Sequence, residues 1–198
     1  MAIMTSFSTI RAYIQMSLPH IQWEHWVIMG LLSLAFTVIR LYRKNGSSSG
    51  TIVFGITVFI GLFLVDALTL SRFWGASPHA SNSGIDLAKE YDRLVHGGLI
   101  RRMEMLLNIL VFVPLGFFLF ETLGALTVID DRRRIGVVSM IAFLLSLGIE
   151  SIQQVLHVGF FEMTDLIMNT IGGFVGAGIA FWGRTLRRRF RAKMKSND

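Results

Sequence analysis

The sequence predicts an all-α integral membrane protein: a single membrane domain over residues 1–198, built as a bundle of about five transmembrane helices with short interfacial helices beside it. Three observations predict it. The 198 residues are 53% hydrophobic with a mean hydropathy of +0.57, more apolar surface than a soluble domain of this size can bury. The apolar residues gather into five runs, each of about the length that crosses a hydrocarbon core near 30 Å. The basic residues fall in alternate connections between those runs, as they do in multi-pass chains. Backbone groups in lipid must be satisfied within the segment, so the spans are read as helices.

The first span is His25–Tyr42, with Trp23 and Trp26 as interfacial anchors. Before it, Phe7, Ile10 and Ile14 share a helical face, which makes Thr5–Met16 an expected interfacial helix. The second span is Thr51–Leu70, reached through the flexible turn KNGSSSG. A long connection follows, Ser71–Glu104. Within it Ser83-x-x-Asp86 has the form of a capping box, and Ile85, Ala88, Val95 and Leu99 continue at roughly helical spacing, so an amphipathic helix is expected over 83–103. The third span is Met105–Ile129, the fourth Ile135–Leu156 and the fifth Met163–Trp182. Pro114 in the third removes one backbone donor and should free the Leu110 carbonyl.

Charge sets the expected orientation. Arg40, Arg43 and Lys44 lie in the 1–2 connection, Arg132, Arg133 and Arg134 in the 3–4 connection, and seven basic residues from Arg184 to Lys195 in the tail; His157–Glu162 between spans four and five carries no lysine or arginine. The solution is N-terminus outside and C-terminus inside. The 2–3 connection, with Arg72, Lys89, Arg93, Arg101 and Arg102, is the one segment that argues against it. The excess of 19 basic over 13 acidic residues is read as contact with anionic lipid, not nucleic acid, because its densest run directly follows an apolar span. With no cysteine, disulfides and thiolate chemistry are excluded.

One residue stands out against this background. Glu150 lies within an otherwise apolar run, where translocon scales put an acidic group at about 3 kcal/mol. Under the expected topology, other polar residues share its depth: Gln153, Gln154 and His157 on the same helix, Asp165 and Asn169 at the start of the next, Glu104 and Asn108 at the start of the third, and Asp66 near the end of the second. Glu150, Gln153 or Gln154, and His157 recur at one-turn spacing and share a face, as do Asp165 with Asn169, while Glu104 and Asn108 are also four apart. The fifth span continues that face as Gly172, Gly176 and Ala180, a small-residue stripe that admits a close neighbour. Single amides here serve as interhelical glue. Two intramembrane carboxylates at one depth are harder to explain that way; if close and dry, they would share a proton or hold a cation.

Two stretches resemble the VanZ-like family of small bacterial membrane proteins. NILVFVPLG at Asn108–Gly116 is similar to its N-x-x-x-F-x-P-x-G signature, and Glu150–Gly172 to its E-x-x-Q and D-x-x-x-N-x-x-G signatures. Asn108, Phe112, Pro114, Gly116, Glu150, Gln153, Asp165, Asn169 and Gly172 fall on the motif positions. The resemblance covers residues 104–182; the first hundred residues carry none. It implies a cell-envelope role, with resistance to the lipoglycopeptide teicoplanin as the activity associated with the family. One departure matters: the family usually has an arginine between the Gln and the Asp, where this chain reads HVGFFEMTD. If that arginine binds an anion in relatives, this chain must borrow one, Arg101 or Arg102.

The expected function is therefore binding, by an outer-leaflet polar pocket, of an amphiphilic head group from a lipid-linked cell-wall precursor or a lipoglycopeptide, with membrane lipids as the standing partners. Arg101 and Arg102 would meet phosphate or carboxylate; Glu104, Asn108, Glu150, Gln153, Asp165 and Asn169 would bond sugar or amide groups. The alternative is an intramembrane enzyme acting on a lipid-linked substrate, with Glu150, Asp165 and His157 as candidate catalytic residues. No cofactor is predicted beyond a divalent metal at Glu150 and Asp165 under that alternative. A transporter is disfavoured, since no internal repeat is visible.

Overall fold

A computed structural model describes residues 23–43, 48–65, 91–92, 95–155 and 161–195. Among them are five helices and no strand: α1 (Trp23–Arg43), α2 (Ser48–Val65), α3 (Gly98–Leu126), α4 (Asp131–Val155) and α5 (Met163–Lys195). Three stretches are long and apolar enough to cross a membrane, Arg101–Leu126, Asp131–Val155 and Met163–Met194, and α2 has a shorter apolar stretch, Thr51–Leu64. The expected segment Thr5–Met16, the turn 44–47, Asp66, most of the 71–104 connection and His157 lie outside the described residues.

Each described helix contains or overlaps an expected span, but the ends differ. α3 starts seven residues before Met105 because Arg101 and Glu104, one turn apart, pair with each other at 3.1 Å and can be carried within the helix. Its start is fixed at Gly98, whose φ of +62° no L side chain adopts comfortably. α3 also runs through Pro114 without ending, with that ring exposed. α5 continues past Trp182 to Lys195; its 33 residues make a rod of about 50 Å, longer than the hydrocarbon core.

The core is built around α3. α3 and α5 form the most extensive pair, with α4 packed on α5, α2 on α3 and α1 on α2. Phe112, Leu115, Ala142, Ile149 and Leu64 form one buried cluster, and Phe120, Val138, Ala177 and Ala180 a second. The small-residue stripe works as expected. A Cβ at Gly172 would strike the Ile109 carbonyl, one at Gly176 the Val113 carbonyl, and one at Gly116 the Gly173 carbonyl, so these glycines let two backbones touch. Hydroxyls tie the outlying helices on: Ser33 donates to the Gly55 carbonyl at 2.7 Å, and the Thr57 and Thr122 hydroxyls pair at 2.7 Å.

The basic residues at the far end of α3, α4 and α5 correct one expectation. Arg134 is not part of a loop but lies in the first turn of α4, buried, with Asp131 at 2.8 Å and the Ile129 carbonyl at 2.8 Å. Arg184, Arg187 and Arg188 are helical. Arg184 pairs with Glu121 at 2.6 Å and Asp131 at 3.5 Å, Arg187 with Glu121 at 3.4 Å, and Arg188 with Asp131 at 3.0 Å. The Phe120 ring takes the Arg134 and Arg184 guanidinium groups at 4.9 and 5.4 Å from its centre. Part of the tail's charge is thus spent in closing the bundle, and a Cβ at Gly124 would displace both guanidinium groups.

Candidate functional site

The opposite end of the same three helices carries the polar cluster. α4 supplies it because every fourth residue or so faces inward: Arg134, Val138, Ala142, Ser146, Ile149, Glu150 and Gln153 are its buried residues. α5 supplies Asp165 in its first turn and Asn169 one turn later. α3 supplies Arg101 and Glu104 in its first two turns.

Glu162, just before α5, joins these helices. Its backbone N–H donates to Glu150 Oε2 at 3.0 Å. Its carboxylate lies 2.7 Å from Arg101 Nη1, which also donates to Glu104 Oε2 at 3.1 Å. Its carbonyl accepts the Asp165 and Leu166 N–H groups at 3.1 and 3.3 Å, which makes it the N-cap of α5. Glu150 therefore reaches from α4 to an orphan amide at a helix N-terminus, where the helix dipole favours negative charge. Asp165 adds its charge to the field at Arg101. One turn deeper, Asn169 Nδ2 donates to Ser146 Oγ at 2.8 Å.

Burial is graded across the cluster. Glu150, Gln153 and Asn169 are buried. The Arg101 side chain is 9% exposed, while Glu104 and Glu162 keep 33% and 20%. Among the described residues, two guanidinium nitrogens of Arg101, Nε and Nη2, have no hydrogen-bond partner, and neither has Asn169 Oδ1. An unmet buried polar group costs about 1–3 kcal/mol, more beside a charge, so this arrangement is held against a cost.

Of the residues singled out from sequence, Arg101, Glu104, Glu150 and Asp165 come together. Gln153 is on the same buried face of α4, Asn169 bonds Ser146, and Asn108 is half-buried on α3. Arg102 points away and is exposed, so Arg101 is the arginine that reaches the α4–α5 connection. His96 pairs with exposed Asp92 at 2.9 Å, away from this cluster. Among the described residues no three His, Cys, Asp or Glu side chains converge as ligands for a metal ion. Two members escaped sequence reading, Glu162 and Ser146. Glu162 had only a weak signal: an acidic residue at the mouth of an apolar run, where the helix dipole favours negative charge. Ser146 had only its place one turn before Glu150.

A curated relative, Protein VanZ of Enterococcus faecium, is 36% identical over 75 residues, 37% of this chain and 41% of that protein, so the chain matches less than half the relative's length. No solved structure matches. The family profile described as VanZ/LLP1 matches residues 3–184, reaching well before the 104–182 stretch that carries the motifs. With that profile matched over nearly its whole length, the chain belongs to the VanZ/LLP1 family.

Proposed function

We propose that this protein protects the cell envelope against a teicoplanin-type lipoglycopeptide by binding an amphiphilic head group at the Arg101–Glu150–Glu162 cluster. One observation carries the reading: a buried guanidinium, with two nitrogens unmet among the described residues, sits among carboxylates where three helices meet. Such a group suits a ligand with both oxyanion and donor functions. Exposed apolar side chains on the same turns, Leu99 and Leu106 on α3, Ile152 and Val155 on α4, Met163 and Ile167 on α5, offer an acyl chain a surface beside it. Family membership and the resemblance to Protein VanZ support the envelope role. We place the cluster in the external leaflet, a reading supported by the exposed Arg132 and Arg133 and the basic α5 tail at the other end, since basic residues concentrate on the cytoplasmic side.

The test is teicoplanin susceptibility in a sensitive host. Expression of the protein should raise the inhibitory concentration, and Arg101→Gln, Glu150→Gln and Asp165→Asn should each return it toward the uninduced value at unchanged membrane abundance. Protection by all three variants equal to that of the native chain would overturn the site; no protection by the native chain would overturn the function. The enzymatic alternative draws no support of its own from the geometry.

A further inference from the structure

Arg101 presents two edges with different fates. Its end nitrogen Nη1 is occupied by Glu104 at 3.1 Å and Glu162 at 2.7 Å. Its side-on edge, Nε with Nη2, is buried and has no hydrogen-bond partner among the described residues. That edge holds two parallel N–H groups at the spacing of a carboxylate or phosphate, and it is the edge through which guanidinium grips an oxyanion in bidentate fashion. The edge alone would call for an anion. The surroundings forbid a simple one. Glu104 and Glu162 pair with Arg101 and Asp165 also acts on it, so among the described residues three carboxyl groups act on this one cation. A ligand with net negative charge would enter against that excess.

We infer that the ligand of this cluster is a zwitterionic head group, its phosphate or carboxylate on the Nε–Nη2 edge of Arg101 and its ammonium beside Glu104 and Glu162. An ammonium group offers three donors to carboxylates, and Glu104 and Glu162 keep 33% and 20% of their side chains exposed to receive it. The inference rests on the head-group reading above and narrows it to a charge pattern. The chemistry is shared by an aminophospholipid such as phosphatidylethanolamine and by small soluble zwitterions.

The experiment measures lipid retention by the purified full-length protein in detergent, using native mass spectrometry with phosphatidylethanolamine and phosphatidylglycerol, and thermal stabilisation by soluble O-phosphoethanolamine. Phosphatidylethanolamine should be retained over phosphatidylglycerol. Arg101→Lys, which keeps the charge that pairs with Glu162 but has no side-on edge, should weaken retention about tenfold, the loss of one charge-assisted bidentate contact. Stabilisation by O-phosphoethanolamine at millimolar concentration would support the same chemistry with a soluble source. Arg101-dependent preference for phosphatidylglycerol would overturn the zwitterion and leave a head-group site standing. Retention unchanged in Arg101→Lys would overturn both. If Arg101→Lys fails to fold, Glu104→Gln serves: it should weaken phosphatidylethanolamine and strengthen phosphatidylglycerol, and equal effects on both lipids would overturn the proposal.

Discussion

Glu150 meets the cost of an intramembrane carboxylate with a helix terminus. Its oxygen takes the Glu162 amide, which no partner within α5 can satisfy. A capping oxygen is worth about 1 kcal/mol, and a buried amide left unmet costs about 1–3 kcal/mol. Glu150→Ala should therefore lower the thermal unfolding temperature in detergent, while Glu150→Gln, which keeps an acceptor, should retain most of the stability and lose teicoplanin protection. Equal destabilisation by both would remove the capping role. The cost of Glu150 was legible in the sequence. The partner that satisfies it was not, because a backbone amide carries no mark of its own and the reach from α4 to α5 exists only once the two helices are packed.

At the level of helices, the α3–α5 pair decides how closely the site can be drawn. Small residues at Gly116, Gly172 and Gly176 bring the backbones together and so place Arg101 opposite the head of α5. Gly176 and Gly178 form a natural contrast two residues apart. A Cβ at Gly176 would collide with the Val113 carbonyl, whereas nothing lies within 4 Å of one at Gly178. Gly176→Ala should destabilise by about 2 kcal/mol or more, with backbone forced to move, and Gly178→Ala should stay within about 0.5 kcal/mol of the native protein. Detergent-denaturation midpoints would check both; indistinguishable variants would mean the helices are not in contact. The stripe itself was readable from its four-residue period. The helix ends were not: hydropathy stops at the first charge, while α3 carries Arg101 and Glu104 inside its first turns because they neutralise one another.

The whole molecule is polarised, with an ionic cluster at each end of the three long helices and apolar packing between. At the basic end, Asp131 serves a buried arginine, Arg134, and an exposed one, Arg188, at once. Removing one partner of a buried pair costs about 3–5 kcal/mol, whereas an exposed pair contributes about 0–1 kcal/mol. Asp131→Asn should then markedly lower the unfolding midpoint, and Arg188→Gln should barely change it. An Arg188→Gln effect as large as that of Asp131→Asn would mean the exposed pair carries the end of the bundle. The arginine-rich tail was visible in the sequence, but its sharing between lipid and protein was not. Glu121, a lone acid in the apolar run of α3, and Arg184 just past Trp182 were the available signs, opposite charges that only the fold shows to be level with each other.

Glu162 makes the opening turn of α5 a shared fastening, held by α4 through its amide and by α3 through its carboxylate. A ligand on the side-on edge of Arg101 meets Glu162 through the same guanidinium, and by thermodynamic reciprocity whatever changes the Arg101–Glu162 pairing changes the ligand's grip by the same factor. Occupancy and the tightness of the helix head are then two readings of one equilibrium. Hydrogen exchange at the amides of residues 162–166 would follow it from within the protein, without any label on the ligand.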